Sequence, residues 1–134
     1  MNKKILLILT FICLLVGGLF VFGQHSHVIY GDSMEPSIHD GDIVLIKSIN
    51  FLGIKEFNPN ELTVGDIISY NSKLQDYVII GRIINVRDNE GSKYYIVKGD
   101  NDDGEGESVY PYQIISKVMK IEDKPIIITN IGSS

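Results

Sequence analysis

The segment richest in chemistry is Gly31-Asp32-Ser33-Met34-Glu35-Pro36-Ser37-Ile38-His39-Asp40-Gly41-Asp42-Ile43-Val44. Ser33 follows a turn-forming Gly-Asp pair and stands three residues before a proline. A backbone restricted in this way can expose the Ser33 hydroxyl and leave neighbouring N–H groups free to hold an oxyanion. Asp40-Gly41-Asp42 reads as a turn feeding a buried strand from Ile43. By residue type alone the same stretch is also an ordinary Ser/Gly/Pro turn. A hydroxyl becomes a useful nucleophile only with a base within hydrogen-bond reach. A second stretch, Asp100 to Glu107, holds five acids in eight residues. Oxygen ligands at alternate positions suit calcium, but Asp100, Asp102 and Gly104 do not continue into an EF-hand register, and no helices flank them. A solvated acidic loop is the preferred reading.

Such groups need elements to hold them. Ile5 to Phe22 is an uninterrupted apolar run in which only Thr10, Gly17 and Gly18 are not strongly hydrophobic. As a helix its 18 residues would extend about 27 Å, close to a hydrocarbon core. Lys3 and Lys4 precede it, and no basic residue follows until Lys47, which puts the N-terminus in the cytoplasm and the rest outside. The rival is a cleavable secretory signal, but the run is long for that, and Phe22-Gly23-Gln24 is a poor small-x-small site. The expected division is residues 1–24 as cytoplasmic stub and anchor and 25–134 as an extracytoplasmic β domain of catalytic type. The protein is thus expected to be a single-pass protein of the cell membrane.

The remaining chain favours strands. The 134 residues include no alanine, no tryptophan and 23 isoleucines, a poor composition for a helical bundle. Ile43–Lys47, Asp66–Tyr70, Tyr77–Val86, Tyr94–Lys98, Ile114–Ile121 and Pro125–Thr129 have strand length and β-branched composition. Asp40-Gly41, Gly65-Asp66, Asn89-Glu90-Gly91 and Gly99-Asp100-Asn101 separate them with turn chemistry. The expectation is one compact all-β domain behind one transmembrane helix, with Tyr77–Val86 and Lys93–Lys98 forming a long hairpin. Net charge is −5, and setting aside Lys3 and Lys4 leaves ten basic against 17 acidic residues outside, a formal −7. That excludes a nucleic-acid binder and a cationic membrane-surface helix, so any further contact with the lipid bilayer must be apolar. Cys13 is the only cysteine, which excludes intramolecular disulfides and thiolate zinc sites.

Ser33-Met34-Glu35-Pro36 followed by Gly41-Asp42-Ile43-Val44 resembles the nucleophile box of type I signal peptidases. Three further stretches match in order. Leu62 through Tyr70 is similar to the family's Gly-Asp-hydrophobic strand, and Lys98-Gly99-Asp100-Asn101 resembles its Gly-Asp-Asn box. Val109 through Val118 is similar to its closing strand, with Ser116 where glycine is usual. The short Tyr94–Val118 block resembles the archaeal and endoplasmic-reticulum-type branch most. The resemblance implies a membrane-anchored serine endopeptidase that removes signal peptides from exported preproteins and needs no cofactor or metal. It further implies Ser33 as nucleophile and its own N–H as oxyanion donor. Gly31 stands where some members add a serine hydroxyl. Whether further subunits join is left open. Self-cleaving repressors share Ser-Met-x-Pro, but they need a DNA-binding domain and a scissile Ala-Gly or Cys-Gly bond. This chain has an anchor instead, no alanine, and Leu14 after Cys13.

The family's general base, Lys or His, stands immediately before an arginine; here Gly81 precedes Arg82. Glycine has no proton acceptor, and a guanidinium stays protonated. Lys98 and His39 are the candidate substitutes, with His25 and His27 expected to be exposed or membrane-proximal. The acidic partner of the endoplasmic-reticulum-type triad aligns with Glu105, with Asp103 and Glu107 as neighbours that could take its place; Asp100 either serves the site or builds the turn. The alternative function is an impaired pseudo-peptidase that binds signal peptides or assists an active paralogue.

Overall fold

Lys3–Gln24 form one helix, α1, in the computed structural model, which describes residues 2–75 and 77–128. The Asn2 side chain caps the first turn by accepting from the Lys4 N–H at 3.0 Å. None of the helix is buried, and its mean hydropathy is 3.0. A helix apolar on every side, with none of its residues buried, is long and apolar enough to cross a bilayer.

Strands β1 (Ser26–Val28), β2 (Ile43–Ser48), β3 (Ile67–Asn71), β4 (Val78–Asn89), β5 (Ser92–Lys98), β6 (Glu107–Val109) and β7 (Ile114–Val118) follow. Short strands β8 (Lys120–Ile121), β9 (Lys124–Pro125) and β10 (Ile127–Ile128) complete the described chain, with one 3-10 turn at Pro111–Gln113. The main sheet runs β1-β2-β7-β3-β4-β5-β6, entirely antiparallel, with β10 also pairing β2; β8 and β9 form a separate pair. The all-β domain behind one N-terminal helix is therefore what the chain forms. The run expected over Ile114–Ile121 breaks at Met119, whose N–H donates to Leu45 O at 2.8 Å and turns the chain from β7 into β8. The run expected over Pro125–Thr129 divides into β9 and β10, and Thr129 lies outside the described residues.

β3 shows why Ile67–Tyr70 lacks the buried–exposed alternation of a half-covered strand. Ile67 packs with Ile29, Met34, Ile38, Val44 and Val118, while Ile68 and Tyr70 pack on the opposite face with Ile83, Tyr95, Val97 and Val109. Successive side chains enter two different cores, so every position is buried. Ser69 and Ser116 meet across β3 and β7 with their hydroxyls bonded to each other, which satisfies both in the interior. The expected long hairpin is β4–β5. It closes on Glu90-Gly91, both at positive φ (51° and 85°), the geometry of a tight two-residue turn.

Candidate active site

The Ser33 turn is clamped from below. Met34 and Ile38 are fully buried, while Ser33 between Asp32 and Met34 is exposed. Glu35 N–H donates to Asp32 O at 3.1 Å and Ile38 N–H to Met34 O at 2.9 Å, closing two tight bends. Gly31 (φ 88°) donates to Asp40 Oδ1 at 2.7 Å, so the far end of the segment ties back to its start. Two apolar plugs with a serine beside them account for the presentation of the hydroxyl.

Gly99-Asp100-Asn101 lies directly against this turn. Asn101 N–H donates to Ser33 O at 2.9 Å, and Asn101 Nδ2 to Asp32 O at 3.3 Å. A β-carbon on Gly99 would stand 2.6 Å from Ser33 O and 3.2 Å from Ser33 Cβ, so only glycine permits this approach. Neither the Ser33 hydroxyl nor its N–H is hydrogen-bonded to any described residue.

Arg82 joins the motifs that lie far apart in the chain. Its Nε and Nη2 donate to the two Asp100 oxygens at 2.9 Å each, Nη1 to Gly65 O at 3.0 Å, and Nη2 also to Ser37 Oγ at 3.4 Å. Burial pushes the Asp100 carboxyl up, but hydrogen bonds from Arg82 and Ser37 and the charges of Arg82 and Lys98 outweigh it and hold it below the ordinary carboxylate range. Asp100 thus builds the turn through Arg82. Asp66 is held in the same sense: burial raises it, and Lys120 at 2.7 Å, the Thr63 N–H and Lys117 bring it down.

A groove of about 810 Å³ opens beside Ser33, between residues 27–33 on one side and 77–80 with 97–99 on the other. β4 pairs with β5 only from Arg82 onward, so among the described residues Val78–Ile80, paired with β3 on one side, leave their other edge unpaired toward the groove. Exposed Tyr30, Leu74 and Tyr77 add apolar surface to it.

Of the expected site residues, Ser33, Lys98 and Glu105 line this groove. Lys98 Nζ donates to Asp102 O at 2.8 Å. His39 lies away from it, exposed, its Nδ1 bonded to Glu35. Glu107 lines the groove, occupied by Tyr70 and Ser72 hydroxyls at 3.1 and 2.7 Å. His27 also lines the groove, and burial lowers its pKa, favouring the neutral ring. His27 is exposed, as expected, and its i, i+2 spacing from buried Ile29 on extended chain is the sequence signal for its place beside the groove. Gly81 faces the core rather than open space: a β-carbon there would meet Val97 Cγ1 at 2.6 Å and the Lys98 backbone at 3.4 Å. Among the described residues no three His, Cys, Asp or Glu side chains cluster to hold a metal ion.

The chain is 41% identical over 54 residues to an uncharacterized protein of Methanocaldococcus jannaschii, covering 40% of this chain and 25% of that one. It is 27% identical over 117 residues to the signal peptidase complex catalytic subunit SEC11 of Plasmodium falciparum, covering 79% and 58%. Human signal peptidase complex catalytic subunit SEC11C is 26% identical over 84 residues, covering 62% and 40%. The chain spans from a quarter to somewhat over half the length of these relatives. The family model described as signal peptidase, peptidase S26, matches residues 2–90, which take in α1, the Ser33 turn and Gly81-Arg82. On that match the chain belongs to the signal peptidase family.

Proposed function

We propose that the protein is a membrane-anchored, signal-peptidase-like serine endopeptidase acting on signal peptides of exported preproteins, its activity limited by the missing base at position 81. α1 is the retained anchor, with the N-terminus cytoplasmic and residues 25–134 outside. The reading rests on the unpaired Val78–Ile80 edge of the groove that also holds an exposed Ser33 with an unbonded N–H. An extended peptide adds to such an edge by main-chain hydrogen bonds, with side-chain pockets selecting residues at alternate positions. Ser33 Oγ would then add to the carbonyl carbon after a small residue while its N–H holds the oxyanion. The proton passes to a base and on to the leaving amine, and water later releases the acyl group. Lys98 is the favoured substitute acceptor because it lines the groove, as His39 does not. Glu105 faces the same groove and would stabilise that charge. Loss of the ordinary base costs about 10² to 10⁴ in rate.

A second reading is favoured by one observation: no described residue accepts a hydrogen bond from Ser33 Oγ. On it, the protein binds signal peptides or assists an active paralogue without cutting. Mass spectrometry of a preprotein incubated with the detergent-solubilised chain separates the two. Peptidase action yields cleaved product that Ser33→Ala abolishes and Lys98→Met reduces. Equal intact substrate with wild type and Ser33→Ala would leave only the binding function, measurable by anisotropy of a labelled signal peptide.

A further inference from the structure

We propose that the turn Phe51-Leu52-Gly53-Ile54 dips into the outer leaflet beside the anchor, a second, non-helical membrane contact that fixes the β domain on the lipid surface. This rests on α1 being a retained anchor. Leu52 and Ile54 are 75% and 60% exposed, and no acidic residue lies between Lys47 and Lys55. Contact with α1 gives the turn its direction. Glu56, at its base, holds His25 Nε2 at 2.7 Å just past the helix end. Phe51 stacks edge-on against His25 at 4.5 Å between ring centroids and reaches Phe20, one helical turn further back, at 6.3 Å. The turn therefore runs along the helix toward the bilayer, with Leu52 at its tip. Phe51 sits at the level where the anchor's apolar run ends, the depth aromatic side chains favour.

Most of its backbone N–H groups are also satisfied, which lowers the cost of entering lipid. Phe51 and Ile54 exchange two hydrogen bonds at 2.9 Å, and Gly53 N–H donates to Asn50 Oδ1 at 2.8 Å. Asn50 N–H donates to Ser48 Oγ at 3.1 Å and Ile49 N–H to Ile115 O at 3.0 Å. Only Leu52 of the six residues from Ile49 to Ile54 leaves its N–H unbonded among the described residues. Leu52 and Gly53 both take positive φ (52° and 83°), a two-residue turn in which Asn-Gly is the favoured pair. A bulky apolar residue held there, and held outward, has no role in the protein's own core. Lys55, exposed beside Ile54, is placed for lipid phosphates.

The absence of tryptophan makes the test direct. Leu52→Trp and, separately, Ile54→Trp in the full chain, reconstituted in phosphatidylcholine/phosphatidylglycerol vesicles, provide single fluorophores; Leu19→Trp in the anchor is the control. Lipid insertion shifts the emission of the turn variants to the blue, and bromine on the acyl chains quenches it as it quenches Leu19→Trp. Quenching of Leu19→Trp alone, with the turn variants quenched by aqueous iodide instead, overturns the turn contact and leaves the anchor standing. Loss of quenching at Leu19→Trp as well removes the anchor reading and this inference with it. Either turn variant, whichever folds, decides the matter.

Discussion

Gly81 and Val97 are packed as a pair: the Val97 Cγ1 methyl stands 2.6 Å from where a Gly81 β-carbon would be. Glycine at 81 leaves no vacant slot, since a core methyl fills the space that the first side-chain carbon there would need. Val97 is buried and β-branched, so it cannot swing aside cheaply.

Gly81→Lys alone is therefore expected to destabilise the domain by about 1–3 kcal/mol through overpacking, seen as a lowered melting temperature. Gly81→Lys with Val97→Ala frees that volume. The double variant should melt above the single one and cleave preprotein faster than wild type, by about 10² or more if lysine reaches Ser33. A double variant that folds but cleaves no faster would rule out position 81 as the base site in this chain.

Gly99→Ala forces a methyl against Ser33 O. Its expected signature is loss of signal-peptide cleavage or binding with a modest change in melting, since the strain falls on an exposed turn rather than the core. Equal loss in cleavage and folding would contradict the local account.

Asp100→Ala strands a guanidinium that is only a quarter exposed and should cost about 1–3 kcal/mol. Because the carboxyls of Asp66 and Asp100 are held low, their stabilisation is full above the unfolded value of about 3.9 and disappears as pH falls through their folded values. Acid titration of melting should accordingly show a steeper loss below about pH 4 for wild type than for Asp66→Asn.

His25 moves the other way. The Val21 carbonyl and then Glu56 raise its pKa, outweighing burial. Stabilisation from the protonated ring is full below the unfolded value of about 6.5 and is lost as pH rises through the folded value. The junction between α1 and the β domain should loosen above neutrality, measurable as reduced amide protection at Ser48–Glu56 relative to the intrinsic exchange rate at each pH. His25→Ala should abolish the pH dependence of that protection.

The amino-acid order along the chain carried the long apolar helix, the strand-rich character, the β4–β5 hairpin and the exposed serine turn, because hydropathy period and turn chemistry are local properties. It also carried the glycine at 81. What folding alone decided lies in contacts between residues distant in sequence. Short β1 and β6 exist only because β2 and β5 offer them edges, and Asp100 became a partner of Arg82 18 residues away. His39 and Lys98, alike as candidate bases in the sequence, parted because His39 points to Glu35 while the hairpin carries Lys98 to the groove. That Val97 fills the space beside Gly81 is likewise invisible along the chain, since it depends on which face of β5 meets which face of β4. A side chain's direction is a tertiary quantity, and here it decides which polar groups share the groove with Ser33.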